Sequence, residues 1–338
     1  MEIDYELDIP SLTETIKNRM WKKVLLQMPE GLLNQPLQRV LTALHNLNVT
    51  VFLESEPSYG VCDLAIDSAK QLDVDALIHY GHSSFGFEQT VQSARRFIDV
   101  VLIPARIRNF QVDLVNLIDE IQKLEWKQVG LTATIQHLEH LPVLKRTLES
   151  NQIGATISQD DGQILGCHIG KSKVNFRRAN IDGVISLHPG NFHVRSMLFK
   201  TSWPILQIDP ITGHKSLHSV AERDRIIKKR LALIEKARKA TTWGILGSLR
   251  LGQWQPRSHT RVKKILNKDF RFIELVGKKI SSEYLANFTW VDAWVNTACP
   301  RVALDDSIRF NRPMITFQEF LYIFSQITWE QLLERGFM

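Results

Sequence analysis

Cysteine is scarce in this sequence, with three occurring among 338 residues. An odd number cannot all pair within one chain, which argues against a disulfide framework. The chain also lacks an apolar run of the ~18 residues that a membrane span needs. Its acidic start lacks the basic-then-apolar order of a signal peptide. These absences predict a soluble, cytoplasmic protein that does not associate with a membrane.

Several common motifs of catalysis and binding are missing as well. There is no Cys-x-x-Cys pair, no glycine-rich phosphate loop and no Gly-x-Ser-x-Gly turn of a serine hydrolase. The net charge of +6 is a small excess, and much of it alternates with apolar residues between positions 223 and 239. That pattern is typical of a solvated helix face, so direct binding of nucleic acid is not predicted.

What the sequence does contain is short apolar strands that alternate with helical stretches. In the first third these strands are predicted at residues 23–28, 49–53, 76–79 and 99–103. In the second third they are predicted at 127–132, 154–158, 181–187 and 204–208. This alternation indicates an α/β fold with parallel sheets covered on both faces.

The last third repeats the scheme with some departures. A long basic helix is predicted from about 216 to 240, followed by strands at 242–247, 270–275 and 292–295. The last of these strands ends a β-rich run that begins at residue 288. The sequence thus reads as three similar thirds.

Each third carries one cysteine after a strand: Cys62, Cys167 and Cys299. Loops that follow parallel strands lie at the same end of a sheet, where the carboxyl ends of the strands meet. We therefore expect the three thiols to meet at one point. Our interpretation is an iron–sulfur cluster, in which three thiolate ligands leave one iron open for substrate. The alternatives are three inert buried thiols, or a zinc site that uses Cys167 and His168.

Polar residues near these strand ends are candidates for substrate binding. Arg301 follows Cys299 by two positions, where a guanidinium can hold a substrate carboxylate by two hydrogen bonds. The alternative is a surface arginine paired with a nearby aspartate. Gln253 and Arg250 lie in the loop after strand 242–247, which is a second candidate binding loop.

Five histidines also lie in or near the predicted strand ends: His79, His82, His168, His188 and His193. Each one taken alone is more often structural than catalytic. We therefore assign none of them a role from the sequence.

Seven segments, in order along most of the chain, resemble the 2-(3-amino-3-carboxypropyl)histidine synthase family of diphthamide synthesis. They are Met28-Pro-Glu-Gly31, Tyr59-Gly-Val-Cys-Asp63, His79-Tyr-Gly-His-Ser83, Gly166-Cys167, Phe192-His193, Trp243-Gly-Ile-Leu-Gly247, and Asn296-Thr-Ala-Cys-Pro-Arg301 with Asp305-Asp306. Each segment alone is weakly specific, but their combination and order are characteristic of the family.

The resemblance implies three similar parallel-sheet domains, related by pseudo-threefold symmetry, around a central 4Fe–4S cluster. These domains are residues 1–108 with Cys62, 109–213 with Cys167 and 214–338 with Cys299, and the three cysteines are the metal ligands. Members with all three cysteines in one chain act as homodimers.

The resemblance also implies a radical transfer of the 3-amino-3-carboxypropyl group from S-adenosylmethionine to a histidine of translation elongation factor two. An external electron donor reduces the cluster. Gln253 and Arg301 are then our candidates for binding the methionyl part of S-adenosylmethionine.

Two other functions fit the same observations. One is a three-cysteine 4Fe–4S dehydratase resembling quinolinate synthase. The other is a non-catalytic subunit of the same fold, although retention of all three cysteines argues against it.

Overall fold

Three parallel sheets, each with its own helices, follow one another along the chain. The computed structural model describes residues 3–158, 161–169, 172–267 and 269–337. Among the described helices, none combines the length and apolar character that crossing a lipid bilayer requires.

The first sheet has four parallel strands in the order β3-β2-β4-β5, and the short strands β1 and β6 pair antiparallel beside it. Its elements are β1 (Tyr5–Glu6), α1 (Ile9–Arg19), β2 (Lys23–Gln27), α2 (Gln35–His45), β3 (Thr50–Leu53), α3 (Ile66–Gln71), β4 (Ala76–Tyr80), α4 (Glu88–Ala94), β5 (Asp99–Ile103) and β6 (Arg106–Ile107).

The second sheet has the order β8-β7-β9-β10, with β11 added antiparallel at the edge. Its elements are α5 (Leu114–Lys123), β7 (Gln128–Ala133), α6 (Leu141–Ser150), β8 (Gly154–Ile157), α7 (Ser172–Ala179), β9 (Gly183–Leu187), α8 (Phe192–Lys200), β10 (Ile205–Ile208) and β11 (Lys215–His218).

The third sheet is again parallel, in the order β13-β12-β14-β15. Its elements are α9 (Val220–Ala237), β12 (Thr242–Ser248), α10 (Pro256–Leu266), β13 (Arg271–Gly277), α11 (Ser282–Leu285), β14 (Ala293–Asn296), α12 (Pro300–Leu304), β15 (Met314–Thr316), α13 (Phe317–Ile323) and α14 (Trp329–Arg335). All three sheets therefore share one strand order, in which the second strand of each sheet lies at an edge and the first lies beside it.

Both faces of each sheet are buried, as predicted for parallel strands. Adjacent residues of a strand point to opposite faces, so Val24 and Leu25 belong to two different hydrophobic clusters. Val184 and Ile185 are divided in the same way in the second sheet. Each sheet thus lies between two apolar layers of helices.

Two details of the predicted last third are wrong. The helix predicted from 216 begins at Val220, because Ser219 caps it by accepting a hydrogen bond from the Glu222 amide at 3.2 Å. The residues before it form β11, which extends the second sheet beyond residue 213. The run from 288 to 295 is a strand only from Ala293, because Phe288 and Val291 form turns after α11. The domain limits themselves remain a prediction.

An aspartate before the third strand of each sheet makes the same contact in all three. The carboxylate of Asp75 accepts hydrogen bonds from the Lys22 and Lys23 amides at 2.6 and 2.8 Å. Asp182 does the same with two amides at 2.7 and 2.9 Å, and Asp292 with two at 3.0 and 2.9 Å. Each carboxylate thereby fixes the start of the first strand against the third.

We expect Asp292→Ala to lower the free energy of unfolding at pH 7 by roughly 1–2 kcal/mol, since it removes hydrogen bonds to a carboxylate at the protein surface. The pKa of Asp292 is lowered, chiefly by the Thr242 amide. Its contribution is therefore present above the ordinary aspartate pKa of ~4 and is lost as the pH falls through the lower folded value. Urea unfolding at pH 7 and pH 3 measures this effect. Asp119→Ala, at an exposed position of α5, is the control, and an equal loss at both pH values would contradict the prediction.

Candidate metal centre

All three cysteines line one cavity of about 360 Å³, here called the cysteine cavity. Cys62 follows β3, Cys167 follows β8 and Cys299 follows β14, so each comes from a loop at the carboxyl end of a strand. All three thiols are free. The structure thus brings together three side chains that are more than a hundred residues apart.

The Cys299 turn is fixed by its own neighbours. The Asn296 side chain donates to the Cys299 carbonyl at 2.7 Å and accepts from the Ala298 amide at 3.1 Å. Cys299 is then the N-cap of α12, whose first residue is Pro300. Proline is well suited to the first helical position, because its ring presets the required backbone angle. The thiol therefore lies where strand β14 changes into a helix.

The Cys167 turn is a tight loop closed by two backbone hydrogen bonds between Leu165 and His168, at 3.1 and 2.7 Å. The partly buried ammonium of Lys200 donates to the Cys167 carbonyl at 2.9 Å. On the other side, the Phe192 ring packs directly against Gly166, so that no side chain larger than hydrogen fits there. Residues of α8 therefore hold this loop from two directions.

The loop after β12 closes over the Cys62 turn. The Gly252 amide donates to the Cys62 carbonyl at 2.9 Å, and a Cβ at position 252 would lie 2.5 Å from the Cys62 Cα. Gln253 Nε2 lies 3.6 Å from Cys62 Sγ. The Arg250 guanidinium pairs with Asp63, the residue after Cys62, and with Glu56 at 2.9 Å. The third sheet thus positions the cysteine of the first.

Burial and mutual repulsion raise the pKa of all three thiols. The pKa of each is raised to about 11, chiefly by burial, and the charge of another cysteine of the set contributes in every case. Burial lowers the pKa of Lys200 to about 8, an effect that the nearby Cys167 opposes. Binding of a metal as thiolates must therefore release protons from the site.

The side chains of the cysteine cavity suit an iron–sulfur cluster. Such clusters are bound by cysteine thiolates, and three cysteines line the cavity. Cys62, Cys167 and Cys299 would hold such a group.

A second cavity of about 360 Å³, here called the aromatic cavity, lies beside the first and shares no lining residue with it. Arg301 lines this second cavity, whereas Gln253 lines the cysteine cavity. The Arg301 guanidinium lies 4.5 Å from the centre of the Phe192 ring and 5.7 Å from that of Tyr59. Its Nε is 3.5 Å from an Asp305 oxygen, so the aspartate pairing considered from the sequence is present.

Two of the histidines near the strand ends, His79 and His82, are joined by a hydrogen bond beside the aromatic cavity. His79 Nδ1 lies 2.9 Å from Gln27 Oε1, and its Nε2 lies 3.0 Å from His82 Nδ1. Gln27 in turn donates to the Asp63 carbonyl at 2.6 Å. Burial lowers the pKa of His82 to about 4 and that of His193 to about 3, so both rings are neutral at pH 7. His168 lines the cysteine cavity.

The fold and the site define an α/β protein in which three strand-end cysteines share one cavity, and comparison with known proteins identifies its family. The family model described as "Putative diphthamide synthesis protein" matches residues 28–333. The chain therefore belongs to the diphthamide synthesis protein family.

Its relatives are similar over most of their length. The 2-(3-amino-3-carboxypropyl)histidine synthase of Pyrococcus horikoshii is 33% identical over 323 residues, covering 93% of this chain and 89% of that protein. Subunit 1 of the corresponding synthase of Mus musculus is 29% identical, covering 97% and 74%. The crystal structure of Dph2 from Pyrococcus horikoshii with a 4Fe–4S cluster superposes with a TM-score of 0.80 at 28% identity, covering 96% and 92%. The names of these relatives indicate synthase enzymes.

Proposed function

We propose that this protein transfers the 3-amino-3-carboxypropyl group of S-adenosylmethionine to a histidine of translation elongation factor two, the first step of diphthamide synthesis. The observation that carries the proposal is the convergence of Cys62, Cys167 and Cys299 on one cavity. It is supported by membership in the family and by the names of the relatives.

The three thiolates would hold a 4Fe–4S cluster. When bound, such a cluster would supply the electron that cleaves the bond between sulfur and the γ-carbon of S-adenosylmethionine, which releases methylthioadenosine. The cysteine loops have the task of keeping the thiols in place. They are fixed by hydrogen bonds to the carbonyl groups of the three cysteines, which come from Asn296, Lys200 and Gly252.

Orientation of the substrate decides which of the three carbon–sulfur bonds breaks. Gln253 lies against Cys62 and is suited to contact the substrate beside that ligand. Arg301 lies two residues after Cys299 and lines the neighbouring cavity, at the border between the two. We propose that its guanidinium holds the carboxylate of the group being transferred.

The shared strand order and the recurring aspartate contact support a triplicated fold with pseudo-threefold symmetry around this centre. We propose the domains 1–108, 109–213 and 214–338, each supplying one ligand. We also propose that the protein acts as a homodimer and takes its electron from an external donor.

The proposed function predicts that the anaerobically purified protein absorbs broadly near ~400 nm, as thiolate-bound iron–sulfur clusters do. Reduced with dithionite, it should release methylthioadenosine from S-adenosylmethionine. With elongation factor two present, one histidine of that protein should gain the mass of the 3-amino-3-carboxypropyl group. Chromatography and mass spectrometry measure both products.

A dehydratase resembling quinolinate synthase, or a non-catalytic subunit, would form no methylthioadenosine under the same conditions. Intact cluster absorption without that product would therefore contradict the proposal and leave the two alternatives.

A further inference from the structure

The aromatic cavity reaches all three cysteine loops from a side that the cysteine cavity does not occupy. Gly60 and Val61, which line it, directly precede Cys62. Leu165 lies two residues before Cys167, and Arg301 lies two residues after Cys299. A ligand in the aromatic cavity therefore lies next to the same centre as a ligand in the cysteine cavity.

The lining of the aromatic cavity favours a flat, weakly polar ring. The aromatic rings of Tyr59, Phe85 and Phe192 contribute to its wall, and His82 and His193 are neutral there because burial lowers the pKa of both. Aromatic walls bind planar rings by stacking and edge contacts. His193 lines this wall as well, although its Nδ1 atom is buried away from the cavity and has no hydrogen-bond partner among the described residues.

The rim of this cavity is accessible to a macromolecule. Tyr59 is 62% exposed although it lines the cavity, and it immediately precedes the Gly60 that leads to Cys62. A protein that inserts one side chain would therefore contact Tyr59 first and then meet the cysteine loops.

We propose that the aromatic cavity receives the imidazole ring of the acceptor histidine, while S-adenosylmethionine occupies the cysteine cavity. The inference rests on the proposed function, which requires a small substrate and a protein side chain to meet at one centre. Two cavities that share no residue and that adjoin the same three loops satisfy this requirement. Arg301, at their border, is placed to hold the group that passes from one substrate to the other.

The test compares Tyr59→Leu with Tyr284→Leu, a control tyrosine that is 61% exposed on α11 and lines neither cavity. We expect Tyr59→Leu to raise the KM for elongation factor two about 3- to 10-fold, because one aromatic contact with the acceptor is lost. Tyr59 also lies 5.7 Å from the Arg301 guanidinium, so formation of methylthioadenosine without the acceptor should fall by less than the KM for the acceptor rises. Tyr59→Phe should restore the KM, and Tyr284→Leu should change neither quantity.

A direct measurement accompanies the kinetics. A photo-crosslinking phenylalanine analogue at position 59 should capture elongation factor two through the segment that carries the acceptor histidine, whereas the same analogue at position 284 should not. If Tyr59→Leu instead weakens S-adenosylmethionine binding and lowers methylthioadenosine formation by more than it raises the KM for the acceptor, the aromatic cavity holds that substrate and the inference is wrong. It is also wrong if the KM is unchanged and no crosslink forms. Failure of the proposed function itself is distinct, because the unsubstituted protein would then release no methylthioadenosine.

Discussion

Cys299→Ser is expected to lower methylthioadenosine formation roughly a hundredfold or more. Substitution of a residue that only hydrogen-bonds to a metal ligand usually causes a smaller loss. A serine hydroxyl is a hard, weakly acidic donor and does not replace a thiolate on iron. The substitution leaves the volume of the side chain nearly unchanged, and Cys299 lies in a loop rather than within a packed core. We therefore expect the free energy of unfolding to fall by only about 1 kcal/mol.

Iron content, absorption near ~400 nm and urea unfolding should be measured on the same preparations of the Cys62→Ser, Cys167→Ser and Cys299→Ser proteins. Ser258→Ala is the control, because Ser258 lines the same cavity and, among the described residues, its hydroxyl donates only to Gln255, at 3.3 Å. Normal iron and normal product in any one of the three serine variants would count against the cluster assignment.

A rule of topology made part of the convergence of the cysteines predictable from the sequence. It places each cysteine at the carboxyl end of the strands of its own sheet, whereas the meeting of the three ends depends on how the three sheets pack. In a parallel sheet the carboxyl ends of all strands lie at the same end of the sheet, so the loop after any strand lies there too. Cys62 and Cys167 follow the second strand of their sheets, whereas Cys299 follows the third, and the cavity still contains all three. The position of a cysteine therefore depends less on which strand it follows than on the end of the sheet at which that strand terminates.

Strands were predictable where an apolar run is long enough to be distinctive. Residues 99–103 are a strand with the predicted limits, whereas β15 has only three residues, Met314–Thr316, and shows no pattern of its own. β11 was missed because Lys215–His218 is polar and joins directly to α9. It is an edge strand, where one row of hydrogen bonds rather than an apolar pattern specifies the pairing.

The contacts around the thiols were not predictable, since they join residues that are distant in sequence. Lys200 ends α8 and gives no sign in the sequence that its ammonium bonds to the Cys167 carbonyl. Gly252 is one of several loop glycines, and only the structure shows that its missing side chain leaves room for Cys62. The separation of Gln253 and Arg301 into two cavities likewise follows from tertiary packing.

Arg301→Lys is expected to weaken the binding of S-adenosylmethionine by about tenfold to over a hundredfold while the cluster remains intact. The guanidinium makes no hydrogen bond to the described residues, and its Nε lies 3.5 Å from an Asp305 oxygen. Its terminal nitrogens are therefore free to form two parallel hydrogen bonds with a carboxylate. Lysine keeps the charge but loses the second bond. A hydrogen bond to a charged group contributes roughly 1.5–3 kcal/mol, which corresponds to the stated range of affinity.

Asp305→Asn separates this role from a structural one. It removes the charge that pairs with Arg301 but leaves the guanidinium and its stacking on Phe192 at 4.5 Å in place. If Arg301 binds the substrate carboxylate, Asp305→Asn should leave the affinity within about twofold, because a partly exposed ion pair contributes little. Arg309→Lys, on an exposed arginine that pairs with Asp306 at 3.6 Å, controls for a general effect of the exchange. Anaerobic titration of the reduced proteins with S-adenosylmethionine gives the affinities. An unchanged affinity and an unchanged yield of methylthioadenosine in Arg301→Lys would mean that this arginine only fixes the loop after Cys299.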